Sequence, residues 1–199
     1  MIIIDNFIKD EELLKKINND KDFWTVGYRW YDGWWKEGVQ DLHHELIKLI
    51  WGEDSPHESV QVAGFEHWVG DYTSKESFDV IGEKWSLKPH FDKDEEKWNN
   101  DKTFVTPKIG TVFYPDPEID EMEGGMLYHW DNFPPERAND DNTIFWPEEE
   151  PEIIKPKYNR LVIFDAGCLH AVSQIKSGRR RAVAINLWEE KPTGFEKDY

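Results

Sequence analysis

The run around His90 and Asp92 places an imidazole and a carboxylate two residues apart. In an extended strand, residues i and i+2 point to the same face, so both groups can reach one ion. A second imidazole, His170, follows an apolar run over 161–164 and a short connection, which we interpret as a buried strand and a tight turn. Two histidines and one carboxylate leave half of an octahedral coordination sphere open, as iron(II) requires when it also binds oxygen and a cosubstrate. We therefore predict a metal site formed by His90, Asp92 and His170.

Two other features compete with this ligand set. His129 and Asp131 repeat the same spacing, which arises often by chance in a chain with seven histidines and 41 acidic residues. Spacing alone leaves both copies open, and the choice depends on the surrounding sequence. Cys168 lies two residues from His170, but a lone cysteine usually packs as a small hydrophobic residue, so we predict that it is buried.

Arg180 follows His170 by ten residues, after a turn at Ser177 and Gly178 and before the strand-like run over 182–188. An arginine at this point can return toward the metal and bind both oxygens of one carboxylate of a dicarboxylate cosubstrate. Its neighbours Arg179 and Arg181 should point to the opposite face, because side chains alternate along a strand. We predict that Arg180 binds the anion and that its neighbours are solvated charges.

The elements that must position these residues are two helices followed by many short strands. Helices are predicted over 11–18, capped by Asp10, and over about 39–51, stopped by Gly52. Strand-like runs occupy 60–65, 111–114, 161–164 and 182–185, while 92–102 reads as a lid or loop and 147–156 as a surface loop. This order predicts a mainly β fold with N-terminal helices and a double-stranded β-helix (jelly-roll) core. We predict one domain over 1–199, with a helical buttress over about 1–58 and the core over about 59–190.

Composition restricts the partners and the compartment. Against 24 basic residues stand 41 acidic ones, and the net charge of −17 disfavours nucleic acid and anionic membranes. The longest apolar runs are far shorter than the roughly 20 residues that cross a bilayer. The N-terminal residues lack the pattern of a signal peptide, and a single cysteine cannot form an internal disulfide. We therefore predict a cytoplasmic protein.

The remaining aromatic and histidine residues have two interpretations. Most of the eleven tryptophans are expected in or near the core, although Trp30, Trp34 and Trp35 could instead form a substrate groove. The other histidines have no partner that suggests chemistry, and adjacent helical histidines point about 100° apart and cannot chelate one ion. These residues are His43, His44, His57 and His67.

Four blocks together resemble the iron(II)- and 2-oxoglutarate-dependent oxygenase superfamily, particularly its prolyl-4-hydroxylase-like branch. They are the opening over 1–8, the triplet from His90 to Asp92, the segment over 124–127 with its glycine pair, and the segment over 159–188. In that family the histidine and aspartate precede the glycine pair. The resemblance therefore selects His90 over His129, which follows the glycines and becomes a sheet or pocket residue.

The resemblance implies an enzyme that couples oxidation of 2-oxoglutarate by O2 to hydroxylation of an unactivated C–H bond. It implies that His90, Asp92 and His170 hold Fe(II) and that Arg180 pairs with the distal carboxylate of 2-oxoglutarate. A tyrosine of the strand before the glycine pair often bonds this cosubstrate in relatives. Tyr114 is the candidate here, with Phe113 as the alternative occupant of that position.

The resemblance is incomplete and does not determine the substrate. Gln174 stands where many relatives have proline, and Met126 where many have a polar residue, although neither position binds metal. A peptidyl residue in a peptide or protein, with proline first, is the leading interpretation. A small metabolite or a nucleobase is one alternative, and a non-catalytic jelly-roll binding module that uses its tryptophans is another.

Overall fold

A computed structural model describes residues 1–52, 61–73, 84–131, 133 and 148–195 of the chain, so the expectations for His57 and residue 147 lie outside the described residues. The helices are α1 (Glu11–Asn19), α2 (Leu42–Trp51) and α3 (Glu95–Asp101), and short 3-10 helices cover Phe23–Thr25, Pro117–Glu121 and Thr193–Phe195. The strands are β1 (Ile2–Asp5), β2 (Arg29–Tyr31), β3 (Gly64–Thr73), β4 (Trp85–His90), β5 (Ile109–Tyr114), β6 (Glu123–Gly124), β7 (Leu127–Trp130), β8 (Glu152–Ile154), β9 (Arg160–Phe164), β10 (Leu169–Ser173), β11 (Ile175–Ser177) and β12 (Arg179–Trp188). Strands predominate, which confirms the predicted mainly β fold with N-terminal helices.

The described strands form two larger antiparallel sheets. One has the order β1-β9-β5-β12-β3-β2 and the other the order β4-β10-β7-β8, while β6 pairs with β11. Buried side chains from both larger sheets meet in one core cluster, which includes Val162 and Phe164 of the first and Leu127 and Val172 of the second. The sheets therefore pack face to face, as in the jelly-roll core that the sequence predicts.

The first two helices begin at aspartate caps and pack against the six-stranded sheet. Asp10 accepts hydrogen bonds from the backbone N–H groups of Glu12 and Leu13, and Asp41 accepts one from that of His44. The end of α1 lies one residue beyond the predicted one, but α2 begins three residues later than predicted because Asp41 supplies its cap. Helix and strand side chains share one core cluster, which includes Leu14, Ile17, Leu46, Ile47, Phe65, Val183 and Ile185.

The predicted apolar face of α2 is only partly correct. Val39 precedes the helix and is 42% exposed, and Leu49 within it is 44% exposed. The helix instead buries His43 and Ile47, which lie one turn apart and face the sheet. The helix is therefore rotated about its axis relative to the predicted orientation, so that His43 and Ile47 rather than Leu49 face the core.

Strand pairing between distant segments extends the sheet beyond the predicted runs. Within the first 58 residues, which we predicted as a helical buttress, β1 pairs with β9 and β2 with β3. The expected strand over 60–65 begins only at Gly64 and continues to Thr73, and residue 60 lies outside the described residues. All ten residues of β3 pair with β12, so the partner strand sets its length more than the local apolar pattern does.

Two segments predicted as loops contain regular structure. The lid or loop expected over 92–102 is largely α3, capped by Asp94, and the ring of Trp98 is buried against Phe104 at 4.4 Å. The surface loop expected over 147–156 contains β8, which pairs with β7 and buries Ile154 at 2% exposure. In both cases a buried side chain in a polar stretch anchors the segment to the sheets.

Candidate metal centre and cosubstrate pocket

The pairing of β4 with β10 brings the two predicted histidine ligands face to face. His90 and His170 are direct cross-strand partners, and their ring centroids lie 4.3 Å apart. Asp92 follows two residues after the end of β4, and its Oδ1 lies 3.5 Å from Nε2 of His90 and 3.6 Å from Nε2 of His170. The ligand atoms of all three residues lie within 4.8 Å of one another. The structure thus brings together the three residues that the sequence singles out.

Backbone carbonyl groups define which ring nitrogen of each histidine is free. Nδ1 of His90 lies 2.7 Å from the carbonyl oxygen of Lys88, and Nδ1 of His170 lies 3.0 Å from that of Cys168. A carbonyl oxygen can only accept, so each Nδ1 carries a proton and donates it. Each Nε2 therefore directs a lone pair toward the space beside Asp92, as a metal ligand does.

The pKa values of Asp92 and His170 are shifted in opposite directions. Burial raises the pKa of Asp92, but the adjacent His170 and His90 outweigh it and hold that pKa well below its ordinary value. Burial lowers the pKa of His170, but the Asp92 carboxylate outweighs it and the net pKa is raised. The carboxylate therefore needs a positive charge beside it, which a divalent ion supplies as well as a proton does.

The rival pattern at His129 and Asp131 does not form a metal site. His129 is 1% exposed, and its Nδ1 lies 2.9 Å from Oδ1 of Asp131. Its Nε2 lies 3.0 Å from the carbonyl oxygen of Asp165, so both ring nitrogens face protein oxygens. Among the described residues, only the group of His90, Asp92 and His170 has the geometry to hold an ion.

A cavity of about 330 Å³ lies between the two sheets and is lined by His90, Asp92, His170 and Arg180 among others. Arg180 is 7% exposed, and its Nη2 donates a hydrogen bond to the hydroxyl of Tyr114 at 3.3 Å, while its Nε has no hydrogen-bond partner among the described residues. No carboxylate in the described part of the chain pairs with this guanidinium. A buried cation without a counter-ion is costly, so the pocket fits a cosubstrate that carries a carboxylate.

The two neighbouring arginines lie on the opposite face of β12, as strand alternation predicts. Arg179 binds both carboxylate oxygens of Asp71, at 2.7 and 2.6 Å. Arg181 lies 3.1 Å from Asp71 and 3.4 Å from Asp116, and its side chain is 14% exposed. The prediction that they are solvated charges is therefore wrong, because both belong to an ion-pair network.

Tyr114 lies on the Arg180 side of β5, whereas Phe113 faces the helices. The centre of the Arg180 guanidinium lies 5.3 Å from the Tyr114 ring, and the ring of Phe113 packs on Phe7 at 5.7 Å. Tyr114 is fully buried and is absent from the cavity wall. Of the two candidates for the cosubstrate position, Tyr114 is the one that contacts Arg180.

The glycine pair makes room for the Arg180 side chain. Both glycines have positive φ angles, 84° at Gly124 and 64° at Gly125. A Cβ on Gly125 would lie 2.7 Å from Cε of Met122 and 3.3 Å from Cδ of Arg180. Glycine is therefore required for the backbone conformation and also for the position of the arginine stem.

The predicted groove of Trp30, Trp34 and Trp35 is not part of the cavity. The rings of Trp34 and Trp35 lie 6.1 and 5.7 Å from that of Phe65, on the helix side of the six-stranded sheet. Trp30 lies beside Phe195, with ring centroids 6.0 Å apart. Trp146 lies outside the described residues, and the other tryptophans are buried or half-buried. This agrees with the interpretation that most tryptophans lie in or near the core.

The cavity wall instead includes residues that we did not single out from the sequence. Tyr28, Trp68 and Tyr72 line it, and Asn186 bonds Asp92 at its base. Glu66 of β3 is the cross-strand partner of Asn186 on β12. Burial and the charge of Asp92 raise the pKa of Glu66 to about 7, although hydrogen bonding with Trp188 and Asn186 opposes the shift. Side-chain alternation along β3 could have indicated these residues from the sequence. Phe65 faces the helices, whereas Trp68 and Tyr72, at odd distances from it along the strand, face the cavity.

Comparison with known proteins identifies the family. Residues 77–188, more than half of the chain, match the profile of the 2OG-Fe(II) oxygenase superfamily. The chain belongs to this superfamily. This oxygenase is therefore a dioxygenase that uses Fe(II), 2-oxoglutarate and O2, rather than a non-catalytic binding module. The superfamily that its motifs resemble is confirmed.

Solved structures show the same fold at low sequence identity. The prolyl-4-hydroxylase of Pseudomonas putida is 13% identical, with 96% of this chain and 92% of that chain covered and a TM-score of 0.57. A prolyl hydroxylase of Trichoplax adhaerens, in complex with a hypoxia inducible factor oxygen degradation domain peptide fragment, is 16% identical over 99% and 87%, with a TM-score of 0.54. The viral collagen prolyl hydroxylase of Paramecium Bursaria Chlorella virus-1 is 15% identical over 96% and 90%, at 0.50.

No curated protein matches the sequence significantly. In the described part of this oxygenase, no helix is long and apolar enough to cross a membrane.

Proposed function

We propose that this oxygenase hydroxylates a peptidyl residue, with proline as the first candidate, and that it does so at the His90, Asp92 and His170 centre. The observation that carries the proposal is a rim of exposed aromatic and apolar side chains around the cavity that contains these ligands. The bound iron and 2-oxoglutarate supply the oxidising chemistry. The chain itself binds, orients and shields the reactants.

Within this proposal the buried arginine selects the cosubstrate. Arg180 binds the distal carboxylate of 2-oxoglutarate, because its guanidinium is buried and has no carboxylate partner among the described residues. The hydroxyl of Tyr114 accepts a hydrogen bond from Nη2 of Arg180 and keeps the guanidinium in place. The open edge of the metal site, where His90 is partly exposed, then faces the substrate.

The rim of the cavity has the character of a docking surface. Tyr28 is 67% exposed, Tyr72 is 49% exposed and Leu87 is 48% exposed, and all three line the same cavity. The ring of Tyr28 lies 4.8 Å from that of Trp68. Large apolar side chains exposed around one opening mark an interaction site, and aromatic faces are the surfaces on which proline rings dock.

The size of the cavity also favours a substrate that inserts one side chain. The space of about 330 Å³ must hold 2-oxoglutarate, which leaves little room for a second complete metabolite. A second cleft of about 380 Å³ continues from it and shares Tyr28, Trp68 and His90 with it. A peptide can lie along this cleft. Glu66 and Glu95 also line the cleft, which disfavours a nucleobase attached to a phosphate backbone.

A peptide array tests the proposal directly. Peptides with and without proline are incubated with the protein, Fe(II), 2-oxoglutarate and oxygen, and mass spectrometry detects the gain of one oxygen atom. We expect the gain on proline-containing peptides and no gain with His170→Ala. The absence of a gain on every proline peptide would exclude proline, and the absence of a gain on every peptide would exclude a peptidyl substrate.

Matched variants locate the docking surface. Tyr28→Ala removes an exposed ring from the rim and is expected to raise KM for the peptide about tenfold without changing the affinity for 2-oxoglutarate. Ile153→Ala removes an exposed apolar side chain that does not line either cleft, and it is expected to leave KM unchanged. Equal effects of the two substitutions would show that the rim is not the docking surface.

A further inference from the structure

The carboxylate of Asp92 presents its two oxygen atoms to different neighbours. Oδ1 faces the two imidazoles, at 3.5 Å from Nε2 of His90 and 3.6 Å from Nε2 of His170. Oδ2 accepts a hydrogen bond from Nδ2 of Asn186 at 3.0 Å. One oxygen therefore points to the space between the ligands, and a neutral amide holds the other.

The six-stranded sheet holds Asn186 in place. Asn186 is 2% exposed and lies on β12 between Gly110 of β5 and Glu66 of β3. A Cβ on Gly110 would lie 3.2 Å from Oδ1 of Asn186, so the glycine leaves the space that the amide occupies. Asn186 is therefore a buried side chain that packs beside Gly110, next to its cross-strand partner Glu66.

The hydrogen bonds around Asn186 define the orientation of its amide. Glu66, the cross-strand partner of Asn186, accepts a hydrogen bond from Nε1 of Trp188 at 3.2 Å, while Nδ2 of Asn186 donates to Asp92. The amide therefore lies between the carboxyl groups of Glu66 and Asp92. An ionised carboxylate only accepts hydrogen bonds, so the NH2 group of Asn186, which has two protons to donate, must face Asp92.

We propose that Asn186 is a positioning residue that restricts Asp92 to binding the metal through Oδ1 alone. The inference rests on the proposed ligand set. Two imidazoles and one carboxylate oxygen would fill three of the six positions of an octahedral ion, and a chelating 2-oxoglutarate and oxygen would need the other three. A second oxygen from Asp92 would occupy one of these positions. The hydrogen bond to Oδ2 holds that oxygen back and keeps the position open for the cosubstrates.

Cobalt(II) binding tests this role without depending on turnover. Wild type and Asn186→Leu, which has a similar volume and no donor, are titrated anaerobically with cobalt(II) and then with 2-oxoglutarate. Visible absorption reports the cobalt coordination, and calorimetry gives the 2-oxoglutarate affinity of the cobalt-loaded protein. We expect Asn186→Leu to change the cobalt absorption before 2-oxoglutarate is added and to weaken 2-oxoglutarate binding about tenfold or more.

Two further variants keep the result interpretable. Asn186→Ala cannot overpack the sheet and is expected to show the same changes. Asn159→Ala removes another buried asparagine, whose side chain bonds the backbone of Ile8 at 2.9 and 2.8 Å, and controls for general destabilisation. The cobalt spectrum and the 2-oxoglutarate affinity of this control are expected to match those of wild type.

The outcomes separate the two proposals. Wild-type absorption and wild-type 2-oxoglutarate affinity in both Asn186 variants would overturn the positioning role, and so would equal changes in Asn159→Ala. Failure of the wild-type protein itself to bind cobalt would instead refute the ligand set of His90, Asp92 and His170. The first result leaves the proposed function intact, whereas the second removes the basis of both.

Discussion

Lowering the pH from 7 to 5 is expected to destabilise this protein through two buried histidines. His43 of α2 and His67 of β3 are 4% and 1% exposed, and their ring centroids lie 5.3 Å apart. Nε2 of His43 and both ring nitrogens of His67 have no hydrogen-bond partner among the described residues. Burial lowers the pKa of His43 to about 4 and that of His67 to about 3; Arg29 and His44 also lower them, and Asp41 opposes the shift.

Proton linkage gives the sign and the size of this change in the free energy of unfolding. An unfolded histidine has a pKa of 6.5, so the unfolded chain binds protons that the folded chain excludes. Above pH 6.5 the histidines are mostly neutral in both states and cost no stability, whereas stability is lost as the pH falls from 6.5 toward the folded pKa values. At pH 5 each histidine then costs about 2 kcal/mol, or about 4 kcal/mol for His43 and His67 together. Both folded values lie below 5, so this cost depends little on either of them.

Glu66 acts in the opposite direction. Burial raises its pKa to about 7, so the folded chain takes up a proton before the unfolded chain does. Stability from this group increases as the pH falls from 7 toward 4.5, by about 2 kcal/mol at pH 5. The pH dependence of the wild type alone is therefore a sum of opposed effects. A comparison with a histidine variant isolates the contribution of one imidazole.

Urea unfolding at pH 7 and pH 5, in the presence of a metal chelator, provides the comparison. We expect His67→Leu to lose about 2 kcal/mol less stability than wild type between the two pH values. Ile47→Val removes one methylene from the same helix face and is expected to lower stability by about 1 kcal/mol while keeping the wild-type pH dependence. An equal loss in His67→Leu and wild type would refute the reasoning, because it would show that His67 is not held neutral.

Three other predictions concern the site. His170→Ala is expected to abolish the visible charge-transfer band that forms when Fe(II) and 2-oxoglutarate are added without oxygen, because an imidazole ligand is lost. Arg180→Ala is expected to weaken 2-oxoglutarate binding at least tenfold in calorimetry while metal binding remains, and Arg179→Ala, which breaks only the pair with Asp71, serves as the control; a larger effect at Arg179 would contradict the assignment. Gly125→Ala is expected to raise KM for 2-oxoglutarate, because the added Cβ would press on Arg180; an unchanged KM with a folded variant would show that the arginine stem can shift freely.

Local rules explain what was predictable from the sequence. The two-residue spacing keeps Asp92 within reach of His90, although β4 ends at His90 and Asp92 lies in the segment that follows the strand. The turn before His170 and the aspartate cap of α1 are also short-range features, formed between residues a few positions apart. Strand alternation likewise separates Arg180 from its two neighbours. These predictions required no knowledge of which strands pair.

The predictions that failed depend on contacts between distant segments. The α3 helix was missed because Trp98 is one apolar residue in a polar stretch, and only its burial against Phe104 shows its role. Trp34 and Trp35 were considered for the substrate groove because aromatic content does not tell which face of a sheet a ring will occupy. The neighbouring core residue Phe65 decides that they face the helices.

The sequence by itself determined the chemistry of the ligands, the cap of the first helix and the alternation of the arginines, because each is encoded within a few residues. Only the tertiary structure decided that His90 lies opposite His170, that Tyr28 and Tyr72 lie at the rim of the cavity, and that Asn186 bonds Asp92 across 94 residues of chain. The physical reason is that these neighbours are chosen by sheet pairing and by the packing of two sheets. Both depend on burial summed over the whole fold.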